Sequence, residues 1–216
     1  MKSQDIVVLL KLISLHAEFF EENLGASDLI LTSNSFEDWT DDGLSSSEIG
    51  RLGISREYFE SRFSVRSLAA DTGISKSQIS LSLKRMYDVG LAKNDRRLGI
   101  PKTNSKALLE FIAYGIRYVF PAKEGELTRG IATSIAAPVL QGKLMTSGEL
   151  APVWPYAKGK TKGLTVEPLH PNIFQSVRED GRMYAFLALT DAVRLGKPRE
   201  RNVAIDTLAT LFNQNI

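Results

Sequence analysis

Cysteine is absent from this chain of 216 residues, which excludes disulfides, thiolate-bound zinc and cysteine nucleophiles. A cysteine-free chain suits a reducing compartment, so a cytoplasmic location is the expectation. Histidine occurs only twice. His16 reads as a structural or surface residue, and His170, with no metal-ligating or nucleophilic companion in sequence, as a structural one. Long apolar runs are lacking too. The N-terminal stretch MKSQDIVVLLKLISLHAEFFEEN carries Gln4 and Asp5 early, is interrupted by Lys11 and His16, and has no small-residue cleavage site. It therefore reads as a buried or amphipathic helix and not as a signal peptide. Nothing else is long enough to cross a membrane, and no membrane partner is expected.

Catalytic signatures are missing as well. No metal-ligand spacing, nucleophile elbow or dinucleotide fingerprint appears, so the expectation is a non-enzyme without catalytic residues, metal or cofactor. Gly159-Lys160-Thr161 matches the end of a phosphate-binding loop. Pro155 stands where the leading glycine belongs, and no strand-to-helix context surrounds it, so nucleotide binding is rejected.

Charge is nearly balanced overall, at +2, but unevenly placed. Residues 1–50 carry two lysines against ten acids, residues 51–130 carry fifteen Lys or Arg against eight acids, and the remainder ten against seven. The middle third is thus the basic one. Lys76, Lys84, Arg85, Lys93, Arg96, Arg97, Lys102 and Lys106 are opposed locally only by Asp88 and Asp95, a distribution that suits contact with phosphates.

That basic region contains the most informative segment, SVRSLAADTGISKSQISLSLKRMYDVGL, from Ser64 to Leu91. Its spacing predicts a helix-turn-helix. Ala69 is small where a second helix crosses close. Gly73 supplies a left-handed residue that ends the first helix, and Ser75 caps the next. Ile79, Leu83 and Met86 recur on one helical face, which leaves Ser77, Gln78, Ser80, Leu81, Lys84 and Arg85 on the outer and flanking faces. Ser82 departs from the usual aliphatic residue beside the inner face, and Leu83 is expected to compensate. A helix over 75–89 with this outer face suits the major groove of double-stranded DNA. Lys84 and Arg85 reach phosphates, Ser77, Gln78 and Ser80 bond to base edges, and Leu81 touches a thymine methyl.

Elements on either side are read from periodicity and punctuation. The first helix should run from about Ser3, its N-cap, to Glu22. Its apolar stripe of Ile6, Val7, Leu9, Leu10, Leu12, Ile13 and Leu15 is too wide for one modest core, which points to a dimer interface. Residues 24–50 form a long acidic connection. It reads first as a mobile loop, with an acidic surface for a basic partner or a competitor for DNA as alternatives. A short helix spans Ser55 to Arg62. Leu91 to Ile100, with a turn at Asn94-Asp95, leaves room for a small β-hairpin wing at most, where Arg96 and Arg97 approach phosphate or minor groove. Asn104 or Ser105 caps a helix to Tyr114, and Ile116 to Phe120 looks like a strand. The Gly- and Pro-rich region from Ala122 to Pro171 offers short strands such as Leu164-Thr165-Val166. Asn172 opens a short helix, and a hairpin of helices, Arg182–Leu195 and Pro198–Phe212, ends the chain. Arg194, Arg199 and Arg201 cluster at its bend, either to bind acid groups or as a solvated corner.

The motif and its flanks resemble bacterial winged helix-turn-helix regulators, with a helix order akin to the MarR type over roughly residues 5–115. The acidic insertion and reduced wing depart from that pattern and leave its ligand pocket without support. ALLEFIAYGIRYVFPAKEGELTRGIATSIAAPVL, the VWP and VEPLHP segments and FLALTDAVRLGKPRERNVA are similar to another group of bacterial regulators. That resemblance implies an antitoxin or operon repressor that accompanies a nucleotidyltransferase-like toxin.

The expected fold is α+β: a mainly α winged helix-turn-helix domain over 1–115, then a small mixed α/β domain over 116–216 for a partner or dimerisation, ending in the helical hairpin. The expected function is a sequence-specific DNA-binding transcriptional regulator, a repressor, acting as a homodimer through the recognition helix 75–89. Ser75, Lys76, Ser77, Gln78, Ser80, Leu81, Lys84 and Arg85 enter the groove, and Lys93, Arg96, Arg97 and Lys102 fix register on the backbone. Two-fold symmetry implies a palindromic operator with half-sites about one helical turn apart. The alternative is an antitoxin-type module whose C-terminal half neutralises a partner protein.

Overall fold

The computed structural model describes residues 1–24, 56–96, 98–144 and 150–213. The acidic segment, apart from Leu24, and Arg97 lie outside the described residues, as does Ser55 of the helix expected there. The architecture is α+β and mostly helical. In chain order come helices α1 (Ser3–Leu24), α2 (Arg56–Arg62), α3 (Val65–Thr72) and α4 (Lys76–Asp88). A hairpin of β1 (Ala92–Asn94) and β2 (Pro101–Thr103) follows, then α5 (Ser105–Tyr114), α6 (Ile116–Val119) and β3 (Glu124–Ala132). Two short 3-10 turns precede β4 (Pro152–Pro155) and β5 (Thr161–Val166), and α7 (Ile173–Arg178), α8 (Gly181–Leu195) and α9 (Pro198–Asn213) complete the described chain.

α1 runs through the middle. Every residue from Asp5 to Ala17 is buried, because α3, α4 and β2 cover it on one side and α8 on another. Its wide apolar stripe is therefore satisfied inside one chain, and that stretch keeps no free face for a second copy. Ser3 is the first helical residue, not the cap expected. The helix start is instead tied by Asp5, whose carboxylate accepts from the Lys2 backbone N–H at 2.7 Å. The buried apolar residues form one continuous cluster that spans residues before and after 115, from Ile6 through Leu108 to Phe212.

Residues 116–119 are a short helix and not the strand expected from their β-branched and aromatic composition. They follow α5 through Gly115 in a right-handed helical conformation, and Ile116 is buried where α6 meets α8. Tertiary packing overrides a local strand preference here.

The three later strands close on themselves. β3 pairs antiparallel with β5 through its first part and with β4 through its last, and β4 pairs parallel with β5. Gly130 sits where both partners meet, opposite Thr161 and Pro155. A Cβ there would overlap the Trp154 carbonyl, so only glycine lets three backbones approach this closely. A buried polar knot fixes this unit to α8. Asp191 accepts from Thr133 Oγ1 (3.0 Å), Trp154 Nε1 (2.6 Å) and Arg194 Nη1 (2.5 Å), while Arg194 Nε donates to the Phe120 carbonyl at 2.8 Å. Arg194, expected at a solvated or partner-binding corner, is thus a buried strut.

Candidate nucleic-acid interface

The α3–turn–α4 unit is built as its sequence demands. Ser64 caps α3 by accepting from the Ser67 N–H at 3.2 Å, and Ser75 caps α4 by accepting from the Gln78 N–H at 3.4 Å. Gly73 has φ +66° and donates its N–H to the Ala69 carbonyl, ending α3 in the left-handed conformation. A second constraint on Gly73 comes from outside the motif. α7 packs against it, so a Cβ would meet the Gln175 side chain. Asn172 Nδ2 donates to the Gly73 carbonyl at 2.6 Å, and Gln175 Nε2 donates to the Ala70 carbonyl. The C-terminal half thereby satisfies carbonyls that the end of α3 leaves over.

α4 buries Ile79, Leu83 and Met86, and also Ser82. The opposite face carries exposed Ser75, Lys76, Ser77, Ser80, Leu81 and Lys84. Leu81 is 49% exposed, an apolar side chain held out among hydroxyls and a lysine. Two residues expected on this face are drawn inward. Gln78 is half-buried, and its Oε1 accepts from Gln4 Nε2 at 2.9 Å. Arg85 turns to Asp5 of α1, with Nη2 and Nε donating at 2.5 and 3.1 Å. Ser82 Oγ donates to the same carboxylate at 2.6 Å. The hydroxyl that looked like a defect in the motif is a partner for a buried acid, so Leu83 has nothing to compensate. Burial alone would push the Asp5 carboxyl up, but hydrogen bonds from Arg85, Ser82 and the Lys2 N–H outweigh it and hold it below the usual carboxylate range. Arg85 is accordingly a brace between α4 and α1, in contrast to the phosphate contact expected of it.

The hairpin stands beside α4. Tyr87 Oη of α4 donates to Asn94 Oδ1 at 2.8 Å, and the turn is held by Asp95, whose side chain accepts from the Leu98 N–H at 3.1 Å. Its base is anchored to α1: Thr103 Oγ1 donates to the Leu9 carbonyl at 2.9 Å, and His16 Nε2 to the Pro101 carbonyl at 3.0 Å. Burial holds the His16 imidazole below its ordinary value, and the ring packs on Phe59 and Phe63. His16 is a buried structural residue. Lys93 and Arg96 are exposed, Lys102 is half-buried, and Lys93 lies directly opposite Lys102 in the ladder. Like charges so placed repel, and an anion between them would relieve that repulsion.

Of the residues expected to face DNA, the fold brings Ser75, Lys76, Ser77, Ser80, Leu81 and Lys84 together on one open surface. Lys93, Arg96 and Lys102 lie on the hairpin that packs against α4. Among the described residues, no group of three or more His, Asp or Glu side chains is placed to hold a metal, and no helix is long and apolar enough to cross a membrane. Comparisons with protein-family models, curated proteins and solved structures find no match to this chain, and so identify no family.

Proposed function

We propose that the protein is a DNA-binding regulator of winged helix-turn-helix type, with α4 as the reading helix and the β1–β2 hairpin as a small wing. One observation carries this proposal: α4 buries Ile79, Leu83 and Met86 while Ser77, Ser80, Leu81 and Lys84 stay open, beside a hairpin bearing Lys93 and Arg96. An exposed helix face of hydroxyls, one aliphatic side chain and a lysine matches the donors, acceptors and methyl groups of a major groove. Repression by a homodimer on a palindromic site, in the cytoplasm, belongs to the same proposal. The dimer contact must then lie outside residues 5–17 of α1, which the chain itself covers.

Replacing Lys84 with alanine removes one backbone contact. The slope of log affinity against log salt on a duplex should then become shallower by about one, with no loss of folding stability. An identical slope for both proteins would remove Lys84 from the interface.

An antitoxin-type interaction role is favoured by a separate feature. Tyr114 and Tyr118, one turn apart, are 78% and 76% exposed, with Val119 beside them and the Arg117 guanidinium over the Tyr118 ring. Such aromatic side chains suit a protein partner.

A further inference from the structure

The closed three-stranded unit carries its own basic cluster. Arg129 on β3 lies directly opposite Lys162 on β5. Both are exposed, as are Lys158 and Lys160 in the connection from β4 to β5. The cluster is rigidly presented: the Tyr156 N–H donates to the Arg129 carbonyl at 3.1 Å, and the Gly159 N–H to the Tyr156 carbonyl at 2.9 Å. Gly159 also lies so close on the Gly130 carbonyl that a side chain would not fit. Glu124 and Glu126 stand toward the other end of the strands, where Glu124 pairs with Val166, and Glu167 follows that residue in sequence. One end of the unit is therefore basic and the other acidic.

The basic end is joined to the proposed reader through α7. Tyr156 stacks on Phe174 of α7, with ring centroids 5.1 Å apart, and Asn172 and Gln175 at the same helix hold the carbonyls of Gly73 and Ala70 beside the start of α4. One short helix thus connects the cluster to the turn of the motif. The hairpin flanks α4 with the pair Lys93–Lys102, and the closed unit repeats that signature with Arg129–Lys162. A cross-strand pair of like charges costs stability when nothing anionic lies against it.

We infer that Arg129, Lys158 and Lys162 form a second phosphate-contacting surface, which grips the backbone of a duplex beyond the stretch read by α4. This inference rests on the DNA-binding proposal above and extends the footprint to the C-terminal half. Its chemistry is sequence-independent, since phosphate contacts position the protein without reading bases.

The test uses the full chain and two mixed-sequence DNA duplexes, one of about one and a half helical turns and one of about three. The variant Arg129→Ala/Lys158→Ala/Lys162→Ala should bind the short duplex like the wild type. On the long one its salt slope should be shallower by about two to three. Its urea midpoint should be equal or higher, because the opposed Arg129–Lys162 pair is gone. Unchanged slopes on both duplexes would overturn the inference, and so would equal losses on both. If Lys84→Ala binds like the wild type while the triple variant is weakened on the long duplex, the second surface stands and the α4 reader falls. Wild-type protein that binds neither duplex would overturn both.

Discussion

Arg194→Met should destabilise the protein by about 3–5 kcal/mol, because it strands the Asp191 carboxylate in the core without its countercharge. Asp191 is buried, and its carboxyl is pushed up by that burial while Arg194, Trp154 and Thr133 pull it back down. Arg194 also donates to the Phe120 and Glu167 carbonyls, so its loss leaves main-chain acceptors behind as well. For a chain of this size the melting temperature should fall on the order of 10 °C. Asp191→Asn in the same background should restore part of the loss, since the amide oxygen can still accept from Trp154 and Thr133 while the buried charge is gone. Urea unfolding of the two variants checks this. A cost below about 1 kcal/mol would mean that water reaches the carboxylate.

A loss of about 3 kcal/mol is expected for Lys11→Met, with a pH signature that identifies its cause. The Lys11 ammonium, with only 6% of its side chain exposed, lies 2.9 Å from Asp180 and 3.3 Å from Asp71. Asp180 also accepts from Ser14 and caps α8 through the Met183 N–H, so one lysine ties α1 to α3 and α8. Burial draws the Lys11 pKa down, but Asp180 and Asp71 outweigh it and hold the ammonium above its ordinary value. A cationic group raised in the folded state contributes its full stability below its unfolded pKa, about 10.4. That contribution disappears as pH rises through the folded value. Wild type should therefore lose stability on the alkaline side, and Lys11→Met should show a shallower limb, with half-buried Tyr87 supplying what remains. Parallel alkaline limbs in both proteins would rule Lys11 out as the titrating group.

Helices α3 and α4 and the turn between them are legible because their determinants are local. Gly73, Ser75 and the spacing of Ile79, Leu83 and Met86 each act within a few residues, and the capping by Asn104 and the Pro198 start of α9 are equally short-range. What could not be read depends on distant partners. Asp5 and Ser82 are 77 positions apart, so no pattern in α4 could show that its serine answers a buried acid in α1 or that Arg85 would turn inward. The width of the α1 stripe is real, but its cover is α8, which a reading of α1 alone assigns to a second subunit. β3 is hidden by its glycines and charges: Gly130 is there for close backbone approach, and the charges are tolerated because the first four residues of the strand are exposed on both faces. Arg194 shows the same limit: a basic residue at the end of a helix looks solvated until its acid, three residues away, is found to be buried.

Selection of bound sequences from random duplex DNA, run in parallel with wild-type protein and Leu81→Ala, tests the reading role of α4 most directly. Wild type should enrich a defined sequence, and the variant should relax preference at one or two positions, worth about 1–3 kcal/mol of discrimination, while keeping the rest. Identical enriched sequences from both proteins, or none from wild type, would contradict a reader built on α4.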